Sequence, residues 1–137
     1  PNLIERIEGG LLSYGNEMTR DNNPFECGLE KYCKLGDDLD YIGKPALERI
    51  AELGHAREIR GLVFAGEPCQ APQFPWPVTI DNRQVGYVTS ATWSPRLEQN
   101  VSLAMIERDF WQPGTEVVVK AGNDLDYRGV VTSLPME

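Results

Sequence analysis

The sequence predicts an α+β chain in which a helix-and-strand unit is followed by a small antiparallel β-barrel. Helical apolar spacing and glycine stops mark the first unit, residues 1–54. In the second unit, residues 55–137, short apolar segments follow one another at even spacing and are separated by turn residues. Regular short strands joined by glycine turns favour an antiparallel barrel or sandwich. A soft boundary is expected near residues 54–57.

Two helices are predicted in the first unit. The first ends at the glycine pair 9–10, and its apolar residues recur at helical spacing, namely Leu3, Ile4, Ile7 and Leu11. The second spans about 43–53, with Pro45 in its first turn and Gly54 as its stop.

Strands are predicted from alternating side chains. One spans residues 26–35, because Leu29 and Cys33 would share a face with Lys31 and Leu35. The barrel strands are predicted at 59–64, 77–80, 83–91, 100–107, 115–121 and 127–133. The four prolines within residues 66–77 indicate a rigid connection.

The composition excludes two classes of partner. The 137 residues carry a net charge of −8 and a pI near 4.7. Nucleic-acid binding needs a concentrated basic surface, so we expect no nucleic-acid partner. The longest apolar runs are too short to cross a membrane, and no membrane partner is expected. The chain opens without an initiator methionine or a signal peptide, and we expect it to be a piece of a longer protein.

The cysteines and the single histidine argue against metal and covalent chemistry. Cys27, Cys33 and Cys69 are odd in number and lack framework spacing, which predicts free thiols in a reducing compartment, the cytoplasm. A zinc site needs four converging ligands, and His55 is the only histidine. No glycine-rich loop joins a strand to a helix, so no nucleotide site is predicted. No metal and no catalytic residue is assigned to this chain.

Three segments near the N-terminus place an arginine, a tyrosine and carboxylates beside glycine turns. They are RIEGG at 6–10, SYG at 13–15 and NPFECGL at 23–29. This residue set suits the binding of a polar organic ligand better than covalent chemistry. The Arg6 guanidinium can donate hydrogen bonds to a carboxylate or a carbonyl of a ligand. Alternatively, it can pair with Glu5 or Glu8 on its own helix. Glu8 is expected to orient Arg6 or to cap nearby amides.

Further segments follow in a fixed order. They are YIGKPAL at 41–47, REIRGL at 57–62, VGYVTS at 85–90, SP at 94–95 and PGT at 113–115. Together with the first three, they resemble the C-terminal part of the folate-dependent aminomethyltransferase family. That family includes the glycine cleavage T-protein and the dimethylsulfoniopropionate demethylases. Each segment alone is weak, but their shared order over nearly the whole chain is specific.

The resemblance implies a set of residues that bind tetrahydrofolate. Arg6 matches an arginine that lines the folate cavity in the family, and Arg57 becomes a second cavity residue. Tyr14 matches the family's Tyr-Gly pair, and Glu26 matches the carboxylate of its P-x-E-x-G-L motif. Two alternatives stay open: Arg57 can form a salt bridge between the barrel and the helix unit, and Glu26 can have a structural role at the start of a strand.

The resemblance also implies a parent enzyme of three lobes, in which the helix-and-strand unit is the remnant of a ferredoxin-like domain. Such an enzyme moves a one-carbon unit from a small amine or sulfonium donor to N5 of tetrahydrofolate. The family's catalytic carboxylates lie in the N-terminal half, which this chain lacks, so we expect the chain alone to be inactive. Two alternatives remain: a non-catalytic folate-binding or accessory domain of a larger amine-oxidising or demethylating assembly, and a structural barrel without a ligand.

Overall fold

The computed structural model describes residues 2–36, 38–122 and 124–136, and within them six antiparallel strands close into a barrel. The strands are β1 (Arg57–Phe64), β2 (Trp76–Ile80), β3 (Arg83–Ser94), β4 (Gln99–Glu107), β5 (Glu116–Lys120) and β6 (Asp126–Thr132). They are hydrogen-bonded in the order β1-β4-β3-β2-β5-β6, and β6 pairs with β1 to complete the circle. The predicted barrel is confirmed, and each predicted barrel strand overlaps an observed one.

The strand β4 is buried on both of its faces. Ala104 and Ile106 belong to the apolar cluster that fills the barrel, whereas Val101 and Leu103 belong to a second cluster on the outside. Successive side chains of a strand point to opposite faces, so β4 serves both clusters at once. The helix α1 (Leu3–Gly9) covers the outer cluster through Ile7, whose side chain is completely buried.

Local sequence sets both ends of α1. The Asn2 side chain accepts the N–H of Glu5 at 2.9 Å and the Glu5 carboxylate accepts the N–H of Asn2, which makes a capping box. At the other end, Gly10 adopts a left-handed φ of 71°, and its N–H donates to the carbonyl oxygens of Arg6 and Ile7. The predicted stop at the glycine pair is confirmed.

The strand predicted over residues 26–35 is wrong. The chain there forms turns and one short 3-10 helix, Glu30–Tyr32. Gly28 has a φ of 70°, which interrupts an extended chain, and a closed barrel has no free edge on which a further strand can pair. None of the described residues before Arg57 belongs to a strand, so the first unit consists of helices and turns. Its origin in a ferredoxin-like domain stays a prediction.

The second predicted helix is confirmed as α2 (Lys44–Leu53). It begins after Gly43, carries Pro45 in its first turn and ends at Gly54. None of its residues is buried, and Leu53 keeps 82% of its surface exposed. Its apolar stripe therefore lies outside both apolar clusters. Neither α2 nor any other helix in the described part of the chain is long and apolar enough to cross a membrane.

The strand β3 departs from regular geometry at two places. A Cβ on Gly86 would lie 2.2 Å from the carbonyl oxygen of Met105, so only glycine allows β3 to approach β4 this closely. Further along, the pairing with β4 shifts register between Val88 and Ser90, which leaves Thr89 as a bulge. A bulge redirects side chains relative to the regular alternation of a strand.

Candidate functional site

Arg6 lies in the last turn of α1 and contacts the outside of the barrel. Its Nη1 donates to the carbonyl oxygen of Leu11 at 2.9 Å and to Oε2 of Glu17 at 3.0 Å, while Nη2 donates to Oγ of Ser90 at 2.8 Å. Its Nε has no hydrogen-bond partner among residues 2–36, 38–122 and 124–136. One N–H of Nη2 is likewise left without a hydrogen-bond partner in this part of the chain. The side chain keeps 17% of its surface exposed.

Glu17 is the partner that sequence reasoning missed. Its side chain has no exposed surface, and Oε2 accepts from Arg6 and, at 2.7 Å, from the N–H of Ser13. It lies between the SYG segment at 13–15 and the NPFECGL segment at 23–29, and belongs to neither. The available signal was local: a carboxylate four residues after a serine, in a turn containing glycine, is placed to accept a main-chain N–H.

Two hydroxyl groups of β3 complete the environment of this carboxylate. Oγ1 of Thr89 lies 3.1 Å from Oε1 of Glu17, and the hydroxyl of Ser90 donates to the same oxygen in a short hydrogen bond. Thr89 and Ser90 are neighbours in sequence and would point to opposite faces of a regular strand. The bulge at Thr89 brings both hydroxyls to Glu17.

Glu8 forms a second link between α1 and β3. Its Oε1 accepts from the hydroxyl of Ser94 at 2.5 Å, and its Oε2 accepts from Nε of Arg96 at 2.9 Å. The hydrogen bond from Ser94, followed by the interactions with Arg96, lowers the pKa of the Glu8 carboxyl although burial acts in the opposite direction. The expectation that Glu8 orients Arg6 is wrong, since its carboxylate is bound to the β3–β4 turn instead.

Glu26 and Arg57 pair with each other. Nε of Arg57 donates to Oε2 of Glu26 at 2.5 Å, and Oε1 accepts from the N–H of Asn23 at 2.9 Å. This hydrogen bond raises the pKa of the Arg57 guanidinium, with burial opposing the shift. The pair joins the first unit to the start of β1, which is the salt bridge considered as an alternative for Arg57. Whether either residue also contacts a ligand stays a prediction.

Tyr14 is exposed, with 67% of its surface accessible. It lies on the turn in which the N–H of Gly15 donates to the carbonyl oxygen of Met18 at 2.8 Å. In the described residues no hydrogen bond or ion pair connects Tyr14 or Arg6 with the pair of Glu26 and Arg57. The structure therefore divides the four predicted ligand residues into separate groups.

Two cavities of the structure have linings that do not include these residues. One, of about 630 Å³, opens between the end of α1, residues 27–32 and the start of β1. The other, of about 910 Å³, lies under the proline-rich connection 67–77 and the β5–β6 turn. None of the four predicted ligand residues lines either cavity.

Cysteine and histidine side chains have structural surroundings. Cys27 is buried, and burial is the main cause that raises the pKa values of the Cys27 and Cys69 thiols. The His55 ring lies between Phe25 and Trp111, with ring centroids 5.9 and 5.1 Å away. In the described part of the chain, no three His, Cys, Asp or Glu residues are grouped so that they could hold a metal ion.

The structure is a closed barrel packed against a preceding segment of helix and turns, with Arg6 of that segment hydrogen-bonded to the barrel. This arrangement defines the class of protein. Residues 57–136 match the family described as the glycine cleavage T-protein C-terminal barrel domain. The chain belongs to this family. The resemblance that the sequence motifs indicated is therefore confirmed.

Similar proteins agree with this assignment. The chain is 53% identical to dimethylsulfoniopropionate demethylase DmdA of Ruegeria pomeroyi over 88% of its own length and 32% of that protein. It is 39% identical to an aminomethyltransferase of a Synechococcus strain, over 84% of the chain and 31% of the relative. It thus spans about a third of the length of the curated relatives it matches.

A solved structure shares the fold. The crystal structure of glycine cleavage system aminomethyltransferase T from Bartonella henselae superposes with a TM-score of 0.75 over 95% of this chain and 36% of the other. The two sequences are 22% identical, so this likeness concerns the fold alone.

Proposed function

We propose that this chain is the C-terminal part of a tetrahydrofolate-dependent one-carbon transferase and that it contributes to the folate cavity of the parent protein. Two N–H groups of Arg6, that of Nε and one of Nη2, have no partner in the described part of the chain, and they carry the proposal. A guanidinium that is anchored through its other N–H groups can donate these two to an acceptor. Folate offers carboxylates on its glutamyl tail and a carbonyl on its aminobenzoyl linker, and both suit these N–H groups.

The other predicted residues have secondary roles in this proposal. Tyr14 offers an exposed ring and hydroxyl on the same turn that holds Glu17. Arg57 binds Glu26 through Nε, and its Nη atoms have no hydrogen-bond partner in the described part of the chain. Glu26 therefore holds Arg57, and the Nη atoms are the groups that would reach a ligand. The reacting groups belong to the remaining two-thirds of the parent protein.

A sulfonium compound is the donor that the comparisons favour. Identity to the dimethylsulfoniopropionate demethylase is 53%, against 36–39% for the aminomethyltransferases. In such a reaction N5 of tetrahydrofolate attacks a methyl carbon, and the C–S electron pair stays on sulfur. The products are a neutral thioether and 5-methyltetrahydrofolate, and N5 releases its proton. A positioned nucleophilic nitrogen needs no covalent catalyst from the protein.

Replacement of Arg6 tests the proposal in the full-length parent. Arg6→Ala is expected to weaken tetrahydrofolate binding by about 10- to 150-fold, the effect of one charge-assisted hydrogen bond. Arg6→Lys should restore only part of the affinity, because an ammonium group cannot bridge two acceptors. Arg96→Ala is the matched control, since Arg96 also pairs with a glutamate of the N-terminal unit. Unchanged folate affinity in Arg6→Ala would make Arg6 a structural residue.

Activity of the isolated chain separates the transferase from the alternative of an accessory domain. We expect the chain alone to show no turnover with tetrahydrofolate and methylated amines or sulfonium donors, and the full-length parent to show it. A parent that binds folate without turnover with any of these donors would support the accessory function. The free cysteines fit a cytoplasmic location for either function.

A further inference from the structure

We propose that Glu17 is a positioning residue for Arg6 and that the bulge of β3 fixes Glu17 in turn. The proposal rests on the proposed function, in which Arg6 binds folate. It assigns the barrel an influence on ligand affinity although the barrel residues concerned do not touch the ligand.

The bonding of Glu17 shows that it supports another residue rather than a ligand. Its carboxylate has no exposed surface. Oε2 accepts from Arg6 and Ser13, and Oε1 accepts from Ser90 and lies 3.1 Å from Oγ1 of Thr89, whose single proton is shared with the carbonyl oxygen of Leu103. A buried carboxylate is costly unless it is paired and fully hydrogen-bonded, and here both conditions are met. Because neither oxygen is exposed, the carboxylate is not available to a ligand. The orientation of Glu17 is therefore fixed by Arg6, Ser13 and Ser90 before any ligand arrives.

The same network determines which N–H groups of Arg6 are left without a partner. Leu11 and Glu17 occupy both N–H groups of Nη1, and Ser90 occupies one N–H of Nη2. The Ser90 hydroxyl accepts from Arg6 and donates to Glu17, so one group links the arginine, the carboxylate and the barrel. Loss of that hydroxyl would leave Nη2 without a contact to the barrel, so the guanidinium could tilt about the two hydrogen bonds of Nη1. A bidentate contact is sensitive to such a tilt, because both of its hydrogen bonds depend on one orientation.

Ser90→Ala in the full-length parent tests this inference. It disturbs the fold less than a change at Glu17, because the Glu17 carboxylate still accepts the N–H of Ser13 in the turn at 13–17. We expect the dissociation constant of tetrahydrofolate to rise about three- to tenfold, the effect of weakened orientation rather than of a lost contact. Turnover at limiting folate should fall with the affinity, and a higher folate concentration should restore it. In an Arg6→Ala background, Ser90→Ala should have no further effect on the dissociation constant.

Ser94→Ala is the matched control. It removes an equivalent serine hydroxyl between β3 and a glutamate of α1, but that glutamate, Glu8, binds Arg96 instead of Arg6. Both serine variants should lower the melting temperature, and only Ser90→Ala should weaken folate binding.

The outcomes separate the inference from the proposed function. If Arg6→Ala weakens folate binding and Ser90→Ala leaves it within twofold, the positioning role is wrong and the function stands. If Ser90→Ala acts equally in the Arg6→Ala background, or Ser94→Ala acts as strongly, the network has only a structural role. If Arg6→Ala itself has no effect, both proposals fail.

Discussion

Arg57 and Glu26 lie 31 positions apart in the chain, and a hydrogen bond of 2.5 Å joins Nε of the arginine to Oε2 of the glutamate. The main chain supports the same junction, because the N–H of Ile59 donates to the carbonyl oxygen of Glu26 at 2.7 Å. Asn23 and Glu26 also accept each other's N–H groups with their side chains. The first strand of the barrel therefore begins against a turn that is already closed on itself.

Arg57→Ala should loosen this junction. We expect the free energy of unfolding to fall by about 1–2 kcal/mol, because a carboxylate that is only 10% exposed loses its charged partner. Amides of residues 23–29 should exchange faster with solvent than in the unmodified chain. Denaturant unfolding and hydrogen exchange measure the two effects.

The exposed pair of Lys120 and Asp126 provides the control for that experiment. Its atoms are 2.7 Å apart and its side chains are 36% and 50% exposed, so Lys120→Ala should cost less than about 0.5 kcal/mol. Equal losses for the two variants would contradict a specific role for the junction.

Glu8→Gln should alter the dependence of stability on pH. Folding favours the ionised carboxylate because the pKa of Glu8 is lowered, mainly by Ser94. The contribution of Glu8 to stability is therefore complete above the ordinary glutamate pKa of about 4.3. It is lost as the pH falls through the lower pKa that the carboxyl has in the folded state. At pH 7 the free energy of unfolding of the unmodified chain should exceed that of the variant by about 1 kcal/mol. This difference should shrink below about pH 4.

Thermal unfolding across that pH range measures the effect. Glu52→Gln, at an exposed position of α2, is the control and should leave the stability curve unchanged. A difference that stays constant down to pH 2 would show that the charge of Glu8 has no part in it.

Ile7→Ala should show that α1 is part of the folded unit. Ile7 is fully buried against Val101 and Leu103, so its truncation is expected to cost about 2–4 kcal/mol. Leu53→Ala removes an apolar side chain of α2 that is 82% exposed, and it should cost less than about 0.5 kcal/mol. Urea unfolding of both variants compares the two helices. Equal costs would mean that α1 does not pack on the barrel in solution.

The barrel strands and both helix stops could be predicted because their causes are local. Alternation along β1 and β6 and the turn after β2 are properties of neighbouring residues, and so are the glycines that end α1 and α2. The false strand at 26–35 had adequate alternation too. The strand prediction for this segment was wrong for a reason that lies outside the segment. Every strand of the closed barrel already has two neighbours, so no edge is free for another strand.

The site could be predicted only in part. The motif around Arg6 predicted an arginine that binds a ligand or pairs with Glu5 or Glu8, and ligand binding stays a prediction. The pairing with Glu17 instead depends on contacts 11 and 84 positions away along the chain. The bulge at Thr89 is equally hidden, because it depends on how β3 and β4 pair. Likewise, the amphipathic pattern of α2 predicted its helix but not its exposure.

The hydroxyl pair of Thr89 and Ser90 has a consequence for exchanging parts between relatives. The family match begins at residue 57, which invites a chimera joined at that point. Such a graft would pair the carboxylate of one parent with the bulge of another, and any mismatch would leave a charge buried without its donors. Transplants that carry residues 6–17 together with the barrel should keep this carboxylate paired, so a stable chimera has to include more than the barrel itself.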